Sequence, residues 1–192
     1  MAELAFRSPF AGLDLPVETG GARLAGLPRT PILAIAPFRG REAAVSDALS
    51  GAIGAGLPPV GRWTRLGEGR LSWAGSGQWL LTGPAAASAA PALAGLAALA
   101  DQGDGWAGMV LDGKDARDVL ARLLPLDLDP AASFEGAAAR SLLRHVPCLL
   151  LAAGPGWEIW VQRSFTRTAV HEIAGAMRSL AGRRALERGD MP

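Results

Sequence analysis

The sequence predicts an α+β domain made of two tandem β-α-β-β-α units. Two echoes within the chain and one shared order predict it. GREAAVSDAL (40–49) is echoed by KDARDVLARL (114–123), each an amphipathic helical stretch behind a short apolar run. GSGQWLL (75–81) is echoed by GPGWEIW (154–160), each a glycine turn leading into an apolar strand. Strand, helix, hairpin and helix therefore run through twice, over 32–100 and again over 101–180. A chain of 192 residues accommodates this as one domain of two closely packed halves.

Residues 1–31 precede the first unit and read as an extended N-terminal arm. Pro9, Pro16, Pro28 and Pro31 with Gly12, Gly20, Gly21 and Gly26 leave no helical or strand period. Phe6, Phe10, Leu13 and Leu15 are too apolar for a solvated leader, so the arm is expected to lie on its own domain or on a partner. In the first unit ILAIAPF (32–38) reads as a strand. Arg41–Ile53 is a helix with Ala44, Val45, Ala48, Leu49 and Ile53 at helical spacing, stopped by Gly54 and Gly56. GRWTRLG (61–67) and RLSWAGSGQWLLTG (70–83) are strand-like, the second bending at Gly75–Gly77. Ala85–Leu99 reads as a helix in which Pro91 marks a kink or a late start near Ser88.

In the second unit WAGMVLDG (106–113) is a strand, and Lys114–Leu124 is a helix with Ala116, Val119, Leu120, Leu123 and Leu124 on one face. Pro125 and Pro130 bracket a loop. SLLRHVPCLLLA (141–152) and WEIWVQ (157–162) flank the turn GPG (154–156), and Phe165–Leu180 closes the unit as a helix. Residues 181–192 form a polar C-terminal tail.

Charge is balanced, 19 basic against 18 acidic residues, which argues against bulk electrostatic binding to nucleic acid or an anionic membrane. The basic set is one lysine, Lys114, and otherwise arginine. Cys148 is the one cysteine, which rules out an internal disulfide, and two histidines offer little for a zinc site. The N-terminus MAELAFRSPFAGLDLP has neither a basic leader nor an unbroken apolar core, and the alanine-rich 84–100 falls short of a membrane span, so a soluble cytoplasmic protein is expected.

No stretch matches a phosphate loop or a nucleophile elbow; GSG (75–77) is a turn signal. Cys148, inside the apolar PCLLL, reads as a buried thiol. His145 in LLRHVP reads as an edge or hydrogen-bonded core residue of a strand, and His171 as a solvated helix residue beside Glu172. Trp63, Trp73, Trp79, Trp106, Trp157 and Trp160 all fall on predicted strands, either filling the core or stacking a planar ligand such as a pterin or flavin. The remaining candidate is DQGDGW (101–106), whose Asp101 and Asp104 suit the polar edge of a heterocycle or a proton transfer, or form a plain turn.

PFRGREAAV (37–45), GSGQWLL (75–81), DQGDGWAGMVLDGKDARDVLARLLPLDL (101–128), AARSLLRHVPCLLL and WEIWVQRSF (within 138–165) together resemble the gamma subunit of heterotetrameric sarcosine oxidase. The resemblance covers most of 32–172. That family is similar in fold to the folate-binding domain of the glycine-cleavage aminomethyltransferase, whose two halves match the repeat above. An aspartate in an Asp-x-Ser motif serves the folate there; Asp101 takes its place here as the folate-facing candidate, with Gly103 where the serine stands. The resemblance implies an accessory subunit without catalytic or metal-binding residues of its own. It implies alpha, beta and delta chains as partners, and FAD, FMN, NAD, zinc and tetrahydrofolate carried on those other subunits. The whole enzyme would demethylate sarcosine to glycine, pass the one-carbon unit to tetrahydrofolate or release formaldehyde, and yield hydrogen peroxide. A stand-alone folate-binding one-carbon-transfer protein is the alternative.

Overall fold

A computed structural model describes residues 7–129 and 135–189. Phe6, Pro130 and residues 190–192 of the tail lie outside the described residues. Among the described residues eleven strands and four α-helices follow one another as β1 (Val17–Thr19), β2 (Ala22–Gly26), β3 (Ile32–Pro37), α1 (Glu42–Ile53), β4 (Trp63–Leu66), β5 (Gly69–Gly75), β6 (Gln78–Thr82), α2 (Ala85–Ala92), β7 (Ala97–Asp101), β8 (Trp106–Asp112), α3 (Ala116–Leu120), β9 (Ala138–Leu143), β10 (Val146–Ala153), β11 (Gly156–Gln162) and α4 (Thr166–Arg188).

Two antiparallel sheets share one plan. The first orders its strands β4-β5-β6-β3-β7; the second runs β9-β10-β11-β8-β2-β1. Within each half, the strand before the first helix (β3 or β8) pairs with the last strand of a meander (β6 or β11). The tandem α+β plan is therefore present, with three strands in each meander. The extra strand arises in the first half because the run 70–83 folds back at Ser76–Gly77, as its glycines indicate. In the second half the run 141–152 breaks at Arg144–His145, where Arg144 adopts φ 52°. No glycine or proline announces that turn. His145 is consequently an exposed turn residue, not a strand residue.

The inner faces of the sheets meet, and helices cover the outer faces, giving four layers. Period-two alternation sorts each strand: Leu33 and Ile35 face α1 and α2 with Val45, Leu49 and Leu81, whereas Ile32 and Leu80 face the opposing sheet with Leu149, Leu151 and Trp160. Met109, Leu111, Cys148, Leu150 and Ile159 point the other way, onto α3 and α4 through Val119, Leu120, Ile173 and Met177.

Three further elements differ from the sequence reading. The helix expected over 85–99 ends at Ala92 in its Pro91 turn, and Ala97–Asp101 continues as β7. Alanine and leucine suit a helix locally, but pairing of five residues with β3 decides the outcome. The helix expected over 114–124 is regular only from Ala116 to Leu120. Residues 17–19 and 22–26 form β1 and β2, where no strand period is visible; tertiary pairing of Arg23–Gly26 with β8 sets their conformation. Helix α4 also runs on through Arg188 to Gly189, which takes the left-handed cap at φ 73°. It is anchored there by Arg184, whose guanidinium bonds Asp115 and reaches Asp118 at 2.5 Å.

Candidate functional site

A cleft of about 390 Å³ opens between the two sheets. Its floor is the inward face of the first sheet: Ala34 and Ala36 of β3, Ala74 of β5, and Ala98 and Ala100 of β7. Five methyl side chains leave room that leucines would fill. The opposing wall is the second sheet, where Trp106 at the start of β8, Arg140 within β9 and Gln162 at the end of β11 come together. Gln78 and Gln102 complete the rim. The Arg140 guanidinium lies over the Trp106 ring, 5.0 Å from its centroid. An apolar floor, an aromatic wall, three carboxamides and a cation form a surface that takes an apolar group with a polar or acidic end.

The DQGDGW loop divides between this cleft and the turn beside it. Gln102 and Trp106 line the cleft. Asp101 ends β7, is exposed, and accepts a 2.8 Å bond from the Gly103 N–H. Asp104 pairs with Arg29 at 3.0 Å. The two carboxylates are thus each engaged locally, and Asp101 does not line the cleft.

Five of the tryptophans pack in the cores. Trp63 donates to the Ala152 carbonyl at 2.9 Å and Trp79 to the Pro58 carbonyl at 3.0 Å. Trp160 sits between the sheets, Trp157 beneath α4, and Trp73 against the first core. Trp106 is half-buried, stands at the edge of the inter-sheet core, and also faces the cleft. Cys148 is fully buried, and burial pushes its thiol up to about 11, so it is a packed thiol. His171 is exposed on α4. No group of three metal-ligating side chains occurs among the described residues.

Sequence spacing missed two features. Arg140, Gln78 and Gln162 reach the cleft only through strand pairing, so nothing local marks them. Between the sheets, Arg70 of β5 meets Glu158 of β11 at 2.5 Å, with side chains 11% and 10% exposed. The Arg70 guanidinium stacks 4.6 Å from the Trp63 ring centroid, and Trp160 donates to the second Glu158 oxygen at 3.3 Å. This charged cluster joins the two halves across their interface.

No family model and no curated protein matches the sequence. A solved structure does: a chain of the heterotetrameric sarcosine oxidase from Corynebacterium sp. U-96, in complex with pyrrole 2-carboxylate, superposes with a TM-score of 0.82 at 28% identity, over 92% of this chain and 96% of that one. The regulatory subunits of aspartate kinase from Thermus thermophilus and Thermus flavus match at TM-scores of 0.43 and 0.40 with 11% and 12% identity, too weakly to carry an argument. The sarcosine oxidase match supports the folate-binding-like α+β fold expected above. In fold and over almost its whole length this chain is gamma-subunit-like, similar to a subunit of heterotetrameric sarcosine oxidase.

Proposed function

We propose that the chain is the gamma subunit of a heterotetrameric sarcosine oxidase, an accessory subunit that packs against the large chains of a flavoenzyme. The near end-to-end likeness carries this reading: 92% of this chain and 96% of the matched chain are covered at 28% identity. Alpha, beta and delta chains are the partners, and FAD, FMN, NAD, zinc and tetrahydrofolate belong to them on this reading. The complex oxidises sarcosine to glycine and reduces oxygen to hydrogen peroxide, the methyl carbon leaving to tetrahydrofolate or as formaldehyde.

Co-expression with alpha, beta and delta chains of the same organism tests it. A tagged form of this chain should bring down the other three in equal amounts, with flavin absorbance and sarcosine-dependent peroxide formation. A colourless chain that elutes alone and binds tetrahydrofolate would favour the stand-alone one-carbon protein instead.

A further inference from the structure

The leading strands of the two halves are exchanged. β2 precedes β3 in the chain but pairs with β8; β7 precedes β8 but pairs with β3. The two positions are equivalent, yet β2 is covered on its outer edge by β1, whereas β7 ends its sheet. The remaining edges are closed or guarded. β4 and β9 approach each other through the Arg62–Ala137 bridge, Trp63 N–H donating to the Gly136 carbonyl at 2.9 Å and Ala138 N–H to the Gly61 carbonyl at 2.8 Å. β1 is three residues long and carries Glu18. β7 offers four apolar residues, Ala97-Ala98-Leu99-Ala100, before its terminal Asp101, with no lysine, arginine or proline, so most of its free edge is unguarded.

The register fixes which backbone groups are offered. Gln102 N–H donates to the Ile32 carbonyl at 2.8 Å and Phe38 N–H to the Leu96 carbonyl at 3.0 Å. Antiparallel pairs alternate, so the even residues Ala98 and Ala100 bond to β3, and the N–H and C=O groups of Leu99 and Asp101 point outward. A strand added there would send alternate side chains over Ala98 and Ala100 into the inter-sheet cleft. Opposite them stands Arg140, which has no carboxylate partner among the described residues.

We propose that the outer edge of β7 is a strand-addition site, occupied in the assembled enzyme by an extended segment of another subunit that places an acidic side chain against Arg140. This rests on the subunit reading above, which supplies the other chain. The added strand takes the place beside β7 that β1 takes beside β2.

Residue-resolved amide exchange on the isolated chain and on the purified four-chain complex tests it. In the isolated chain Ala98 and Ala100 should exchange slowly and Leu99 and Asp101 fast. In the complex Leu99 and Asp101 should slow by more than about 100-fold. Arg140→Glu should weaken capture of the chain by the other subunits by about tenfold, the scale of one lost charge pair. Leu99→Pro, which removes an outward N–H but spares the ladder to β3, should do likewise. A complex that forms while Leu99 and Asp101 stay fast overturns the inference and leaves the subunit reading standing. Protection of Leu99 in the isolated chain on dimerisation assigns the edge to a second copy and overturns it too. Absence of any complex removes the subunit reading, and the inference with it.

Discussion

The second half of the molecule is closed on itself and the first is not, although both follow one strand order. Around the second sheet, β1 covers β2, α4 runs 23 residues, and one buried core gathers the inner faces of α3 and α4 with Leu24 of β2 and Phe10, Leu13 and Leu15 packed at its margin. Around the first sheet, α1 and α2 are shorter, α2 is nearly all alanine, and β7 leaves both an open edge and a cleft floored with methyl groups. The same topology thus supports two tasks. The larger core stabilises the fold; the smaller half keeps an uncovered edge that a stable monomer does not need.

Removing residues 2–28 gives the largest break in that comparison. It deletes β1 and β2, strips the outer edge of β8 and takes away Leu24, which is fully buried. Leu24→Ala alone is expected to cost about 2–5 kcal/mol as a large-to-small core change, and the deletion more. Urea denaturation of the two variants checks this. A truncated chain as stable as the full one would show that residues 1–31 are an arm laid on a complete domain, as their sequence suggests, and that β8 needs no cover.

Next comes the charged contact that joins the halves. Removing one partner of the Arg70–Glu158 pair strands the other between the sheets, so Arg70→Ala and Glu158→Ala are each expected to cost about 3–5 kcal/mol. Replacing both by leucine should recover most of the loss. A double-mutant cycle in urea measures the coupling; values near zero would mean that apolar packing alone holds the sheets together.

The Asp115–Arg184 contact sharpens the comparison with pH, because only the second half contains it. Burial raises the Asp115 carboxyl, but the Arg184 hydrogen bond, the Gly21 N–H and the charges of Arg184 and Lys114 outweigh it, leaving the group below its ordinary 3.8. A carboxylate depressed on folding contributes stability at pH values above 3.8 and loses it as pH falls through the lower folded value. Asp115→Asn should therefore lower stability at neutral pH and flatten its fall on the acid side. Denaturation midpoints at pH 6 and below pH 3.8 separate the two chains; equal midpoint shifts at both pH values would mean that the charge plays no part.

The halves were unequally legible in the sequence, for physical reasons. Glycine turns at 75–77 and 154–156 fall where backbone sterics require glycine, so both hairpins and the repeat were visible. The hairpin at Arg144–His145 was not, because a positive φ at arginine is imposed by pairing of β9 with β10 and no residue type signals it. β7 was hidden by its composition: alanine and leucine favour a helix locally, and only the long-range ladder to β3 makes them a strand. The cleft was half visible. Gln102 and Trp106 belong to the loop singled out by its carboxylates, yet the carboxylates themselves turn to Gly103 and Arg29, while Arg140 and Gln162 arrive from strands far along the chain.

The smallest expected effect belongs to Asp101, the folate-facing candidate. It lies at the junction of the open edge and the cleft, so it separates a structural turn from a chemical role. The carboxylate is exposed and accepts a 2.8 Å bond from the Gly103 N–H, which an asparagine carbonyl reproduces. Asp101→Asn is therefore expected to change stability by less than about 0.5 kcal/mol, as for an ordinary surface site. Turnover of the four-chain complex should stay within about threefold, since neither acid–base chemistry nor a charged contact to folate is lost from a turn. Steady-state peroxide formation, with and without tetrahydrofolate, measures this. A fall of about 100-fold or more confined to the folate-dependent rate, with stability unchanged, would place the carboxylate in one-carbon chemistry and make the first half of this chain part of the reaction chamber.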